Sequence, residues 1–261
     1  MKNLLFIPCY NCERHIGGVI KSFDAELLLN FKEIIIVDNR STDDTVSVAM
    51  RTIKEHGEKQ KFKVLKNSEN YGLGGSHKVA FSYATANDFD FVCVLHGDGQ
   101  GKLEDFRQEL ECLSDSSVDC ILGSRFMSSS TLRGYSYVRI FGNLVFNLIF
   151  SLLLRKFITD LGAGLNVFRV KSIQRLNTHL LPDDLLFNYA LTIHMALNNL
   201  NTKFVAISWS EKDQISHVKL VRHTFSLLVI ILQFVFRGRK YLDFDGRDIP
   251  RVEYTSKAIS S

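Results

Sequence analysis

The chain predicts an α/β fold: a Rossmann-like, mostly parallel sheet flanked by helices, with an apolar, amphipathic helical appendage towards the C-terminus. Three observations carry this. Short apolar runs rich in β-branched residues, such as Glu33-Ile34-Ile35-Ile36-Val37, alternate with segments of helical period, the pattern of strands joined by crossovers. Each run stops abruptly at polar or turn residues: Pro8-Cys9-Tyr10-Asn11, Asp38-Asn39-Arg40-Ser41, His96-Gly97-Asp98 and Gly123-Ser124-Arg125. The length of 261 residues, with 46% hydrophobic and 23% charged residues, suits one large domain plus an appendage. In sheets of this class ligands sit beyond the carboxyl ends of the strands, so those four stops are where chemistry is expected.

Taken in order, Lys2 to Pro8 reads as a buried strand and Glu13 to Leu29 as an amphipathic helix. Lys32 to Asp38 is a second strand. Ser41 or Thr42 is expected to cap the next helix, with Asp43 and Asp44 in its first turn, where the helix dipole favours acids. Phe62 to Leu65 is a third strand, Gly72 to Ala86 a glycine-led helix, Phe89 to Leu95 a fourth strand and Val118 to Leu122 a fifth.

The second half changes character. Ile140 to Leu154 is rich in Leu, Phe and Ile and is followed by Arg155 and Lys156. Phe225 to Phe236 is a second apolar run, with Lys219, Arg222 and His223 before it and Arg237, Arg239 and Lys240 after it. Each run falls short of the ~20 apolar residues of a spanning helix. Two readings stand: helices of a core or of an oligomer interface, or helices lying in a membrane surface with basic flanks towards anionic headgroups. Residues 243–261 read as a polar tail. The net charge of +4 is too mild to imply nucleic acid, and none is expected. Met1-Lys2-Asn3 leads straight into a strand-like run without a signal-peptide pattern. Five scattered cysteines fit a reducing, cytoplasmic setting.

Cys9-Tyr10-Asn11-Cys12 has the spacing of a thioredoxin-like redox site at a strand-to-helix turn. Such a site needs a cis-proline loop facing the cysteines, and after Pro8 the next proline is Pro182, far too late. The two cysteines read as small, partly buried residues, with a redox role as the alternative.

A series of stretches carries a more specific signal. "VDNRSTDDT" (Val37 to Thr45) puts Asp38 at a strand end, where it can accept a hydrogen bond from a base N–H or a ribose hydroxyl. "IPCYNCE" opens the chain, "NYGLGGSHKVA" (Asn70 to Ala80) opens a helix, and "VLHGDGQ" (Val94 to Gln100) follows an apolar strand. "ILGSRF" (Ile121 to Phe126), "RIFGNLVFN" (from Arg139), "TDLGAGLNVFR" (Thr159 to Arg169) and "SWSEKDQISHVKL" (Ser208 to Leu220) complete the series. Together they resemble the family 2 glycosyltransferases with a GT-A fold, and within them the polyprenol-phosphate (dolichyl or undecaprenyl phosphate) sugar transferases. The resemblance covers about Lys2 to Leu220, and it implies a GT-A domain at 1–215 followed by a membrane-surface or interface helix at 216–242.

The resemblance implies an inverting, metal-dependent transfer of a sugar from a nucleotide-diphosphate sugar, a UDP-sugar with a GDP-sugar as alternative, to a polyprenyl phosphate. Pro8, Tyr10, Asn11, Asp38, Asn70, Gly72, Gly74, His96, Gln100 and Lys212 are the expected donor-binding residues. Asp98 is the expected ligand of Mg²⁺ or Mn²⁺, which would neutralise the leaving diphosphate. His96 stands where the family carries a first acid; metal ligation, a phosphate contact and shaping of the turn all remain open to it. Arg125 and Arg139 would grip the acceptor phosphate, a task that suits guanidinium forks, and Asp160 is the acid on the acceptor side. The expected setting is peripheral, on the cytoplasmic face of a membrane, in cell-envelope glycan synthesis. A hydroxyl acceptor on a lipid-linked glycan or polysaccharide, a non-catalytic nucleotide-sugar-binding role and a homo-oligomer are the alternatives.

Overall fold

A computed structural model describes residues 1–115, 117–211 and 220–259. The first half runs β1 (Asn3–Cys9), α1 (Ile16–Lys21), α2 (Ala25–Leu28), β2 (Glu33–Asp38), α3 (Thr45–Glu55), β3 (Phe62–Asn67), α4 (Gly72–Ala86) and β4 (Phe91–Leu95). It continues with α5 (Arg107–Glu111), β5 (Cys120–Ser124), β6 (Thr131–Arg133), α6 (Tyr137–Leu154), β7 (Leu165–Arg169), α7 (Val170–Ile173) and α8 (Phe187–Leu197). Last come β8 (Thr202–Ala206), β9 (Ser208–Ser210), α9 (Leu220–Arg237) and β10 (Ser256–Ala258).

Eight strands form one sheet in the order β10-β3-β2-β1-β4-β7-β5-β8. β3, β2, β1 and β4 are parallel neighbours, as are β5 and β8, while β7 and β10 run against the rest. The sheet is therefore mostly parallel, as the alternation predicts. β6 and β9 pair separately. The chain steps outward from β1 to β2 and β3, then returns to place β4 on the other side of β1. That reversal is a topological switch point, and it opens a crevice at the carboxyl ends of β1 and β4.

Alternation along the strands divides the core in two. Leu5, Ile7, Ile34, Ile36, Cys93 and Leu95 face one layer of helices, while Leu4, Phe6, Ile35, Val37, Val92 and Val94 face the other. β1 is buried throughout, as a strand covered on both faces must be. A third cluster joins α6, α8 and α9 through Phe150, Tyr189, Ile193, Leu227 and Ile230.

Several elements differ from expectation for local reasons. The helix expected over Glu13–Leu29 breaks after Lys21: Ser22 Oγ donates to Val19 O, and Asp24 starts α2 by accepting from Leu27 N at 2.6 Å. Ser41 and Thr42 do not cap α3. Asp43 Oδ1 accepts from Thr45 N at 3.0 Å, while Ser41 Oγ and Thr42 N bond to Asn11. β5 spans Cys120–Ser124 rather than Val118–Leu122, and just before it the Asp119 carboxylate accepts from Asn201 N and Ser172 Oγ. The tail is not loose: Gly246 N donates to Leu180 O, and Ser256–Ala258 pairs with the outer edge of β3. α6 is 18 residues, longer than the apolar run alone, and long and apolar enough to cross a membrane; of its residues only Asn147 and Phe150 are buried.

Candidate active site

At the ends of β1, β2 and β4 the loops are tied to one another. Asn11 takes the left-handed conformation (φ 54°), which asparagine tolerates. Its Oδ1 accepts from Thr42 N at 2.9 Å and its N–H donates to Ser41 Oγ at 3.0 Å. Pro8 O accepts from Gly97 N, and Cys9 O from Asn39 N. Tyr10 is exposed beside them.

Asp38 is wholly buried. Its Oδ1 accepts from Ser41 N at 3.2 Å, and its Oδ2 has no partner. A buried acceptor without a donor is costly, so this oxygen is suited to an N–H or O–H from a ligand. Next to it, Asn39 Oδ1 accepts from Asn67 Nδ2 and Tyr71 N, and Asn39 Nδ2 donates to Asn70 Oδ1 at 2.8 Å. Asn70 Oδ1 also accepts from Gly72 N at 3.0 Å, tying the loop that leads into α4.

Gly72 and Gly74 have a packing role in the structure. A Cβ on Gly72 would lie 2.3 Å from Asp183 O, and one on Gly74 2.3 Å from Pro182 O. They let α4 pack against the 182–187 segment.

On the β4 turn, Asp98 Oδ1 accepts from Gln100 N at 3.1 Å while Gly99 supplies a left-handed residue. Burial raises the Asp98 pKa. Gln100 is part-exposed, and its carbonyl accepts from Ser210 N. The His96 ring packs on Gly164 and faces His77 at 6.4 Å between centroids, and its Nε2 is buried without a partner. Burial lowers its pKa to about 4, so the imidazole is neutral at neutral pH. Cys9 lies under the same turn, where a Cβ on Gly97 would meet its sulfur at 2.4 Å. Hydrogen bonding to Cys12 first, and burial second, hold the Cys9 thiol well above its ordinary pKa. That is the opposite of an activated redox thiol.

A second cluster lies at the end of β5. Arg125 is buried and clamps Asp160 with Nε at 2.7 Å and Nη2 at 2.8 Å, while its backbone N–H donates to the same carboxylate. Arg125 Nη1 donates to Tyr135 Oη at 3.2 Å. Arg139, one turn further, stacks over the Tyr135 ring at 4.4 Å and pairs with Glu211. Tyr135 therefore sits between the two arginines. Tyr189, whose pKa burial pushes up to about 12, meets His223 Nε2 of α9 at 3.3 Å. The sequence reading missed Tyr135, Tyr189, Glu211 and Asn39. Asn39 and Glu211 lie inside the stretches quoted above, which is their signal in the sequence, whereas Tyr135 and Tyr189 have none of that kind. Lys212 lies outside the described residues.

Two polar clusters thus lie beyond the carboxyl ends of the strands, one over β1, β2 and β4 and one at β5, and comparison supplies the family. The model of "Glycosyl transferase family 2" matches residues 5–176. The chain belongs to glycosyl transferase family 2. It is 26% identical over 186 residues to the UDP-N-acetylglucosamine–dolichyl-phosphate N-acetylglucosaminyltransferase of Methanococcus voltae, covering 67% of this chain and 72% of that protein. Identity to the dolichyl-phosphate beta-glucosyltransferase of Saccharomyces cerevisiae is 25%, over 90% of this chain and 76% of the relative. The polyprenol monophosphomannose synthase of Mycolicibacterium smegmatis is 21% identical, over 81% and 78%. Among solved structures, glucosyl-3-phosphoglycerate synthase from Mycobacterium tuberculosis, in complex with Mn²⁺, UDP and glucosyl-3-phosphoglycerate, superposes with a TM-score of 0.66. That match has 14% identity and covers 99% of this chain and 87% of the other, showing a shared GT-A-like fold.

Within this family 2 glycosyltransferase, no group of three or more His, Cys, Asp or Glu side chains forms a metal cluster among the described residues. Asp98 is the carboxylate that the β4 turn offers. The set fits a hard cation of the kind held by one or two carboxylates with the rest of its shell from water and substrate phosphates.

Proposed function

We propose that this glycosyltransferase moves a sugar from a UDP-sugar to a polyprenyl phosphate, with inversion, on the cytoplasmic surface of a membrane. The observation that carries the reading is the Arg125–Tyr135–Arg139 stack where β5 leads into α6, an apolar helix with its outer face exposed. Phe141, Leu148 and Leu152 of α6 are 70%, 60% and 70% exposed, and Phe225, Leu232 and Phe236 of α9 are exposed as well. Arg155 and Lys156 follow α6, and Arg237, Arg239 and Lys240 end α9. Apolar faces beside basic residues suit a bilayer surface. Asn147 bonded to Thr159 O and Phe150 in the third core cluster fix the inner face of α6 to the protein, which favours lying on the membrane over crossing it.

Asp38 Oδ2 accepts from the nucleobase. Asp98, with Gln100 beside it, would hold Mg²⁺ or Mn²⁺, which neutralises charge on the departing diphosphate. A phosphate oxygen of the acceptor attacks the anomeric carbon, its bond to the nucleoside diphosphate breaks, and the configuration inverts. The acceptor is already ionised near neutral pH and needs placement and charge neutralisation rather than a base. Asp160 supports this choice, because Arg125 takes both its oxygens and leaves it unsuited to deprotonating a hydroxyl. Arg139 is the phosphate ligand: its partner Glu211 sits near the surface, where a phosphate dianion can replace it.

Nucleotide release is measured from a panel of UDP- and GDP-sugars with Mg²⁺ or Mn²⁺, with and without undecaprenyl phosphate in detergent. Release that depends on the lipid phosphate, and falls roughly a hundredfold or more in Arg139→Ala, is expected. Release to a hydroxyl-bearing lipid glycan but not to the phosphate would overturn the reading.

A further inference from the structure

The C-terminal residues after α9 reach back to the loop between β3 and α4. Ser68 N donates to Thr255 O at 3.0 Å, and Thr255 N donates to Tyr71 Oη at 3.3 Å. The Tyr254 ring meets that of Tyr71 edge-on at 5.2 Å. Tyr254 Oη donates to Asp183 Oδ1 at 2.7 Å and accepts from the buried Lys78 Nζ at 3.1 Å. Arg251 lies over the other side of this cluster, its guanidinium 5.3 Å from the Tyr71 ring centroid. It pairs with Asp183 at 2.9 Å and Glu69 at 3.4 Å. Tyr71 is thus held by its side chain from the C-terminal segment and by its backbone from Asn39, whose Oδ1 accepts Tyr71 N at 2.8 Å. Asn39 adjoins Asp38, the residue with the unpartnered buried oxygen.

We infer that Arg251 and Tyr254 are positioning residues of the donor site, setting through Tyr71 and Asn39 where Asp38 meets the nucleoside. This rests on the reading of Asp38 as the nucleoside contact. Neither residue touches the donor. Both fix a loop whose register decides the depth of the Asp38 carboxylate, and hydrogen bonds to charged groups hold that register more firmly than neutral ones. The end of the chain, distant in sequence from every donor motif, thereby belongs to the donor side.

The test titrates UDP and GDP into the 261-residue chain by calorimetry, with melting temperature and steady-state kinetics measured on the same samples. Arg251→Ala is expected to weaken the preferred nucleotide about tenfold and Tyr254→Phe about threefold. Donor KM should rise in parallel, with kcat and acceptor KM within about twofold, and Arg251→Lys should recover part of the loss. A merely structural role would lower the melting temperature and active fraction without moving donor KM. Asp38→Asn separates the two readings. If it weakens nucleotide binding while folded Arg251→Ala and Tyr254→Phe stay within twofold of wild type, the inference fails and the donor reading survives. If Asp38→Asn binds normally, both fail. Should Arg251→Ala not fold, Tyr254→Phe keeps the ring packing and decides alone.

Discussion

The ends of β1, β2 and β4 and the end of β5 are held together in different ways. At the first, asparagines and backbone groups are exchanged between loops: Asn11 with Ser41 and Thr42, Asn39 with Asn67, Asn70 and Tyr71. At the second, charges are stacked on rings and clamped by carboxylates, with Arg125 on Asp160 and Tyr135, and Arg139 on Tyr135 and Glu211. The first end lies over a sheet buried on both faces, whereas the second adjoins a helix with most of its apolar side chains in the open. Neutral hydrogen bonds in a closed loop network define one geometry. An ion pair near the surface can be exchanged for another anion. The contrast suits one rigid pocket and one that is completed by its substrate and surroundings.

The comparison is broken or sharpened at three points. Asp160→Asn should have the largest effect on stability, about 3–5 kcal/mol, because it leaves the Arg125 guanidinium buried without its counter-charge. Denaturant unfolding measures this, and a loss below about 1 kcal/mol would mean that stacking alone holds the β5 end. Next, Phe141→Ser with Leu148→Ser should reduce flotation with anionic vesicles about ten- to a hundredfold while changing stability by about 0.5 kcal/mol or less. Equal flotation would leave these exposed faces to a second subunit, a case that sedimentation of the wild type would identify. The smallest effect concerns pH. Burial lowers His77 to about 3, against an ordinary value of 6.5. Between those values the unfolded chain binds the proton and the folded chain does not, so stability falls as pH drops below about 6.5. From pH 6.5 to pH 5 the loss from this histidine should be about 1–2 kcal/mol. It should shrink in His77→Phe, which keeps a ring among Phe6, Phe81 and Phe187.

Much of this was readable in the sequence, because β-branched runs ending in acids or turn residues state both a strand and the edge where it stops. Asp38, Asp98 and Arg125 lie at such edges. What the sequence hid was partnership across long separations. Nothing local to Asp160 says that Arg125 will take both its oxygens, and nothing local to Gly72 says that Asp183 O will occupy the space of its Cβ. The antiparallel β7, inserted between β4 and β5, shows in the sequence as a motif, and its place in the sheet comes only from partners far along the chain. The tail is polar, as its composition says, but Tyr254 and Arg251 gain their packing only from residues far back in the chain.

The pairing of β10 with β3 also bears on how the protein is made. Ser68 and Thr255, bonded side by side, are separated by 187 residues. At roughly 5–20 residues per second, that separation leaves the outer edge of β3 uncovered for about 10–40 s of synthesis. An open strand edge invites pairing with a neighbouring chain, and charge along it discourages this. Lys63 and Lys66 stand on β3 itself. They can guard the edge while the ribosome still holds the residues that will close it.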